Sequence, residues 1–332
     1  MTRIPIAELL SLPHGPHDPV TGTPPRRPGS VRRTTSIDIR RGDPGRPVEV
    51  VARGRDLATL DDGTTDVRDE VEVRGTIDGA GIVTALEADP PVPAVARLVG
   101  APVSRGFRLR VDEVLPDHRA AATVLHLLLD DLPMASMISG YGHSREVPDF
   151  KLPPTAAERM ADVCAGWAGG ATMLDVLERT GFFPIPIGPT APDLLSAEDP
   201  LAWHELPRLE PRSIRRRRRL DVAGGDPLAV DVHFRDSHCD LDELEDVLHE
   251  YSLAATVDPA TLTVLTSAAV ARVLPWPECP EALASAGRIA GEPVAKLRWR
   301  VMADFKGTST CTHLNDVLRS LGSVTALAGA VA

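Results

Sequence analysis

The chain has 332 residues, of which 43% are hydrophobic and 25% are charged, and its formal net charge is −11. This composition predicts a globular protein with one large core or two ordinary ones, and its acidic balance argues against nucleic acid as a partner. The sequence contains neither an apolar run of about eighteen residues nor a recognisable signal peptide, so we expect a cytoplasmic protein with no membrane partner.

The first two segments of the chain differ in their patterning. Residues 1–29 are rich in Pro and Gly and predict an irregular N-terminal arm. Residues 30–132 alternate apolar and polar side chains, as half-buried β-strands do. Four strands and a short helix are predicted there, and a fifth strand is predicted from the alternation of Phe107, Leu109 and Val111.

A helical region and a connector follow. Residues 120–132 predict an apolar helix that ends at Pro133. Residues 133–211 mix Gly and Pro with one helical stretch over 155–180. Because this segment also carries large apolar side chains, such as Trp167, we expect a connector that packs on the neighbouring domains.

The pattern of the first domain returns in residues 212–322, which predicts an internal repeat. The segment that ends at Asp56 aligns with the segment through Asp236, a shift of 180 residues (236 − 56). The final helix of each copy then places His126 opposite His313. Strands with few helices, and no βαβ alternation, predict an α+β fold with mainly antiparallel sheets in a tandem pseudo-twofold repeat, each copy having about two helices. The copies either pack face to face or share one continuous sheet.

Reactive side chains are concentrated in the second copy, whereas the first copy has apolar or unrelated residues at most of the matching positions. Clustering of titratable groups is typical of functional sites. The predicted catalytic residues are Cys311, His313, His238, Asp236 and His249. The predicted substrate-binding residues are Arg235, Tyr251 and Asn315.

Cys311 and His313 stand at the start of a predicted amphipathic helix, with Thr312 as its cap. The partial positive charge of a helix N-terminus favours a thiolate and disfavours a protonated imidazole. The pair therefore predicts a nucleophile, or part of a divalent metal site formed by His238, Cys311 and His313. The alternative is that both side chains are structural.

Five consecutive arginines, residues 215–219, form the other conspicuous feature. They could bind phosphate, a carboxylate or RNA, but on a strand they point to both faces. We interpret the run as an edge strand that is protected by charge. No Walker loop, GxGxxG, GxSxG or HExxH pattern occurs, which removes the commonest nucleotide-binding, hydrolase and metalloprotease hypotheses.

The second copy resembles an uncharacterised bacterial family of domains of unknown function. The resemblance is carried by the closing Cys-Thr-His-Leu signature at 311–314, by Cys279 followed by Pro280, and by the segment 289–291. It is clear over about 213–321 and weak over the first copy. The family brings no established reaction, so it groups these residues without giving them roles.

Two function classes remain open from the sequence. The first is an enzyme, a hydrolase, lyase or isomerase, that acts on a small acyl or carbonyl metabolite with a Cys/His/Asp pocket in the second copy. The second is a non-catalytic ligand-binding or scaffold protein with structural cysteines and histidines. The expected partner is a small molecule, and a homo-oligomer is left open.

Overall fold

The computed structural model describes residues 12–42, 46–104, 106–146, 158–181 and 184–331. The beginning of the predicted arm and two pieces of the predicted connector lie outside these residues.

One eight-stranded sheet spans both halves of the chain. Its strands are β1 (Ser30–Arg40), β2 (Val48–Thr59), β3 (Thr65–Ile77), β4 (Val83–Asp89), β5 (Ser213–Ala223), β6 (Leu228–Cys239), β7 (Glu245–Val257) and β8 (Val264–Val273). The strand order is β4-β3-β2-β1-β5-β6-β7-β8, and every neighbouring pair is antiparallel. The expected combination of helices with a large antiparallel sheet is confirmed, and the halves share one sheet through the pairing of β1 with β5.

Each set of four strands is followed by a 3-10 helix and then by α-helices. The principal α-helices are α1 (Phe107–Val114), α2 (Pro116–Ala120), α3 (Val124–Glu146), α4 (Thr172–Thr180), α5 (Val294–Asp304), α6 (Thr312–Ser320) and α7 (Val324–Ala328). The 3-10 helices are Pro93–Leu98, Ala165–Trp167, Cys279–Ile289 and Leu321–Ser323. The helix α3 packs on β1, β2, β3 and β5, and α6 packs on β7. Two apolar clusters lie between sheet and helices, one under each half.

The opposite face of the sheet is covered by irregular chain from the arm and the connector. The guanidinium of Arg235 donates to the carbonyl oxygens of Val20 and Pro192, at 2.6 and 2.7 Å. In the first half, Arg55 donates to the carbonyl oxygens of Leu201 and Trp203. The central strands are consequently buried on both faces, and arginine hydrogen bonds hold the cover in place.

The expectation that the arginine run forms an edge strand is wrong. Arg215–Arg219 lie in β5, at the centre of the sheet, and none of them is more than 6% exposed. Arg216 and Arg218 point toward the helices and form ion pairs with Asp316 and Asp131. The other three point to the covered face, where they pair with Asp38, Glu245, Asp221 and Asp231. Carboxylates from several elements neutralise the five guanidinium groups, so these groups can be buried away from water.

The predicted fifth strand is also wrong, because residues 107–114 form the helix α1. Phe107, Val111 and Val114 are buried, at the i, i+4, i+7 spacing of one helical face. Leu109, which the strand pattern required to be buried, is 47% exposed. The corresponding strand of the second half is replaced by α5 in the same way.

The predicted end of a helix at Pro133 is wrong as well. The helix α3 runs from Val124 to Glu146 and contains Pro133 in its interior. A proline removes one helical hydrogen bond, but burial on both sides of it can offset that loss. Leu129 and Leu132 before the proline, and Ala135 and Ile138 after it, are all at least 95% buried.

Candidate functional site

The helix α6 places His313 on the sheet. The predicted helix is present, although its cap is Cys311 and its first residue is Thr312, one position earlier than expected. Leu314, Val317 and Leu318 are fully buried, which fixes the rotation of the helix. His313, in its first turn, is therefore held against strands β6 and β7.

Cys311 lies in a buried environment at the start of α6. Its side chain is buried, and burial raises the pKa of the thiol. The Sγ atom lies 3.9 Å from Nδ1 of His313, which is longer than a strong hydrogen bond. Burial therefore opposes the thiolate that the helix N-terminus favours, and the catalytic role of Cys311 stays a prediction.

Three of the predicted residues meet at one point: Asp236, His249 and His313. Asp236 in β6 is the register partner of His249 in β7. Asp236 Oδ2 lies 3.7 Å from His249 Nδ1 and 3.8 Å from His313 Nε2. The three atoms all lie within 4.8 Å of one another. The two imidazole rings are stacked, with centroids 3.6 Å apart and an interplanar angle of 15°.

Asp236 is fixed in place by Arg216, a residue that the sequence analysis had given no role at the site. Arg216 donates from Nε to Oδ1 and from Nη2 to Oδ2 of Asp236, at 2.8 and 2.9 Å. Its Nη1 donates to Asp316 Oδ2 at 2.6 Å. No pattern in the sequence links Arg216 to Asp236 or Asp316, which lie 20 and 100 residues away along the chain.

Both histidines of the cluster are neutral at pH 7. Burial, with a smaller contribution from the positive charge of Arg216, lowers the pKa of His313 to about 3. Burial and the neighbouring His313 hold the pKa of His249 well below 6.5. Each imidazole therefore keeps a free lone pair, as a general base or a metal ligand requires.

A cavity of about 440 Å³ opens beside the two imidazoles, which form part of its wall. Most of its other side chains are apolar and come from α3, from the connector and from the loop after β8. They include Met137, Ile138, Met160, Trp167, Met173, Ile187, Leu248, Leu274 and Trp276. The volume is typical of a site for a small organic ligand. The connector carries large apolar side chains in the sequence, but no pattern there links it to the reactive residues.

Two of the predicted site residues lie elsewhere. His238 is two residues beyond Asp236 in β6, which is roughly 6–7 Å along a strand. Its Nδ1 lies 3.7 Å from Asp246 Oδ1, and it does not belong to the three-residue cluster. Arg235 points to the opposite face of the sheet and donates to Glu250 Oε2 at 2.7 Å. The predicted metal set that includes His238 and Cys311 is thus not the set that the fold assembles.

Tyr251 and Asn315 are near the cluster but have structural surroundings. Burial and the adjacent Cys311 raise the pKa of the Tyr251 hydroxyl well above 10. Asn315 donates from Nδ2 to the carbonyl oxygen of Phe305 at 3.0 Å, which ties α6 to the end of α5. Neither residue lines the cavity beside the histidines.

Comparisons with known proteins give limited information. No curated protein and no solved structure matches the chain. Among the described residues, no helix is both long enough and apolar enough to span a bilayer. Residues 214–327, which contain the whole cluster, match the family model described as Protein of unknown function (DUF2889), so the resemblance to a family of uncharacterised domains is confirmed over that segment.

Proposed function

We propose that the chain is an enzyme that acts on a small, mostly apolar acyl or carbonyl compound bound in the cavity. The observation that carries this proposal is the position of two neutral imidazoles, backed by a buried carboxylate, in the wall of a cavity whose other lining is apolar apart from His17 and Arg41. Apolar side chains would hold the hydrocarbon part of the substrate. Its carbonyl group would face His249 and His313.

The chemistry that fits these groups is proton transfer. A neutral imidazole can remove a proton next to a carbonyl group and return it elsewhere, and Asp236 would stabilise the imidazolium that forms in between. This favours an isomerase or lyase over a hydrolase with Cys311 as nucleophile, because burial raises the pKa of that thiol.

All four cysteines are free thiols, which supports the proposed cytoplasmic location.

The second candidate is a non-catalytic protein that binds an apolar small molecule. It is favoured by the apolar lining, which could hold a ligand without the help of the histidines. The two candidates differ in whether the bound compound is changed.

A screen of small aldehydes, ketones and thioesters with the full-length protein tests both candidates. Binding is followed by the fluorescence of Trp167 and Trp276, which line the cavity, and turnover by liquid chromatography with mass spectrometry, which also separates isomers of equal mass. We expect His313→Gln to lower turnover by about 100-fold or more. His126→Gln is the matched control, since His126 is a buried histidine that pairs with Asp112, outside this cavity. Ligands that bind and are recovered unchanged would support the carrier instead.

We also propose that the two halves arose by tandem duplication with pseudo-twofold symmetry. The strands β1 and β5 have 11 residues each, β2 and β6 have 12, and β3 and β7 have 13. A register shift follows Asp56 in the first half and Asp236 in the second. Arg33 binds Asp56 in the same bidentate way as Arg216 binds Asp236.

The proposed duplication also indicates why only one half would be active. The position of His249 is occupied by Asp69, which accepts a hydrogen bond from the Val124 amide at 2.9 Å. His126, which matches His313, turns instead to Asp112, with Nε2 at 2.9 Å from Oδ1. The first half would therefore keep the scaffold without the pair of histidines.

A further inference from the structure

The separations within the cluster are too long for hydrogen bonds and suit a shared ion. Asp236 Oδ2 is 3.7 and 3.8 Å from the two ring nitrogens, beyond the roughly 3.2 Å reach of an N–H···O hydrogen bond. Ligand atoms that each lie about 2.1 Å from one metal ion are about 3.0–3.7 Å apart. Shorter separations between the three residues, together with a movement of the two rings, would bring one atom of each to bonding distance of an ion between them.

The two ring nitrogens also lack a partner. His249 Nδ1 and His313 Nε2 are buried and make no hydrogen bond with any described residue. A buried polar atom without a partner is unfavourable, and such atoms are uncommon in folded proteins. Here both face the same carboxylate oxygen, so one cation between them would satisfy all three groups at once.

We propose that Asp236 Oδ2, His249 Nδ1 and His313 Nε2 bind one divalent transition-metal ion. Imidazole nitrogen together with carboxylate oxygen is a donor set that suits Zn²⁺ and Fe²⁺. Three protein ligands leave further coordination positions for water or substrate, as in catalytic sites. Because both histidines line the cavity, those positions would open into it.

Neighbouring groups orient the three ligands. Arg216 holds both oxygens of Asp236, and Oδ2 also lies 3.7 Å from His249 Nδ1 and 3.8 Å from His313 Nε2. His313 Nδ1 lies 3.5 Å from Thr312 Oγ1 and 3.9 Å from Cys311 Sγ, so a proton on Nδ1 leaves Nε2 free to ligate. The rings are stacked, so they must tilt apart for an ion to lie in both ring planes.

The charge of the filled site specifies the ligand further. This step rests on the substrate class of the proposed function and not on an imidazole base, because both ring nitrogens would then bind the ion. One carboxylate and two neutral imidazoles would leave a bound divalent ion with one net positive charge. Such an ion attracts an anionic oxygen, which an enolate or a carboxylate provides. The substrate class is accordingly an apolar molecule with a carbonyl or carboxylate oxygen at one end.

Metal titration of the chelator-treated, full-length protein tests the site without any substrate. We expect calorimetry to show one bound Zn²⁺ or Co²⁺ per chain. His249→Gln and His313→Gln should each lower the metal affinity by about 100-fold or more, because loss of a residue that only orients a metal ligand already costs about 10- to 100-fold. His126→Gln should bind as the wild type does. Circular dichroism identifies any variant that has failed to fold. If a histidine variant fails to fold, Asp236→Glu, which keeps the carboxylate, is titrated in its place, and we expect a smaller loss of metal affinity.

The absorption spectrum of the Co²⁺ complex separates this ligand set from others. We expect visible bands without a thiolate-to-metal charge-transfer band, and no change in Cys311→Ser or His238→Gln. Absence of binding in the wild type, equal binding in His313→Gln, or a thiolate band would overturn the proposal. The proposed function fails on a different result, which is that no compound bound in the cavity is converted.

Discussion

Arg216 binds both carboxylate oxygens of Asp236, from Nε at 2.8 Å and from Nη2 at 2.9 Å, and neither side chain is more than 1% exposed. The same guanidinium reaches Asp316 in α6. This arrangement joins the central sheet to the helix that carries His313. The geometry of the cluster and the stability of the fold therefore depend on one buried arginine.

Replacement of Arg216 by methionine is expected to be severely destabilising. Removal of one partner from a buried ion pair leaves an uncompensated charge and costs about 3–5 kcal/mol. Here Asp236 would lose its bidentate partner, and Asp316 would lose one of its arginines while keeping Arg319. We expect Arg216→Met to lower the free energy of unfolding, measured in urea, by that amount or more.

Arg40 provides a matched control for this measurement. It pairs with Glu210 at 2.8 Å, but both side chains are at least half exposed. An exposed pair contributes less than about 1 kcal/mol. If Arg40→Met and Arg216→Met had equal effects, the buried network would not be a source of stability.

The network around Arg216 extends between the two halves of the chain. Asp130 and Asp131 of α3 belong to the first half, whereas Arg218 and Arg319 belong to the second. Arg298 in α5 pairs with Asp130 at 2.7 Å. The halves are thus joined by buried ion pairs as well as by the hydrogen bonds between β1 and β5. These ion pairs connect the two halves although each half has its own apolar cluster.

A second prediction concerns the pH dependence of stability, through His204. Its Nδ1 lies 2.9 Å from Thr34 Oγ1 and its Nε2 lies 2.8 Å from Ser36 Oγ. Burial, followed by the positive charge of Arg55, lowers its pKa from 6.5 to about 3. Between these two values the unfolded chain binds a proton at this position that the folded chain does not, so stability falls as the pH is lowered through this range.

The expected contribution of His204 is up to about 1.4 kcal/mol per pH unit within that range. His233, whose pKa burial lowers to about 4, acts in the same direction. Urea unfolding between pH 4 and pH 7 should therefore show a steeper slope for the wild type than for His204→Gln. Parallel slopes would mean that His204 is protonated in the folded protein.

A third prediction concerns the cysteines. All four are buried, and burial raises the pKa of Cys164 to about 12 and that of Cys239 to about 11. The thiols of Cys279 and Cys311 are shifted in the same direction by the same cause. We expect no alkylation by iodoacetamide at pH 8 in the folded protein and four modified residues after denaturation in urea. Rapid, selective modification of Cys311 in the folded state would restore the nucleophile hypothesis.

Sequence patterns predicted local features of this fold better than long-range ones. The alternation of Val48, Val50 and Ala52 predicted β2, and that of Val67, Val71, Val73 and Ile77 predicted β3. All of these side chains except Val67 are buried. The same rule failed for α1, where Phe107 and Val111 fit both a strand and a helix, and only the exposure of Leu109 distinguishes them. Two-residue alternation over so short a segment does not separate the two periods.

The residues of the candidate site were also predicted only in part, because long-range partners are not visible in the sequence. Comparison of the two copies directed attention to Asp236, His249 and His313, which do meet. The sequence also predicts His238 and Arg235 as site residues, but their partners, Asp246 and Glu250, are not evident from spacing. The arginine run was misinterpreted for the same reason, because its acidic partners come from β1, β6, α3 and α6.

The last prediction concerns Gly188, where the connector closes the cavity. The segment that follows it lies along the first part of β7, and the Val247 amide donates to the carbonyl oxygen of Pro189 at 2.9 Å. A methyl group at Gly188 would lie 1.6 Å from the carbonyl oxygen of Val247, so the connector would have to move away from the strand. Gly188 and His249 both line the cavity, so this movement would change the wall that holds the ligand.

We therefore expect Gly188→Ala to lower the free energy of unfolding by about 1–3 kcal/mol, the usual cost of overpacking. It should also weaken binding of any ligand that quenches Trp276 fluorescence. Gly79→Ala is the control, because a methyl group there meets no atom within 4 Å, and a change within about 0.5 kcal/mol is expected. A Gly188→Ala variant with unchanged stability and unchanged ligand affinity would show that the connector does not form this wall of the cavity.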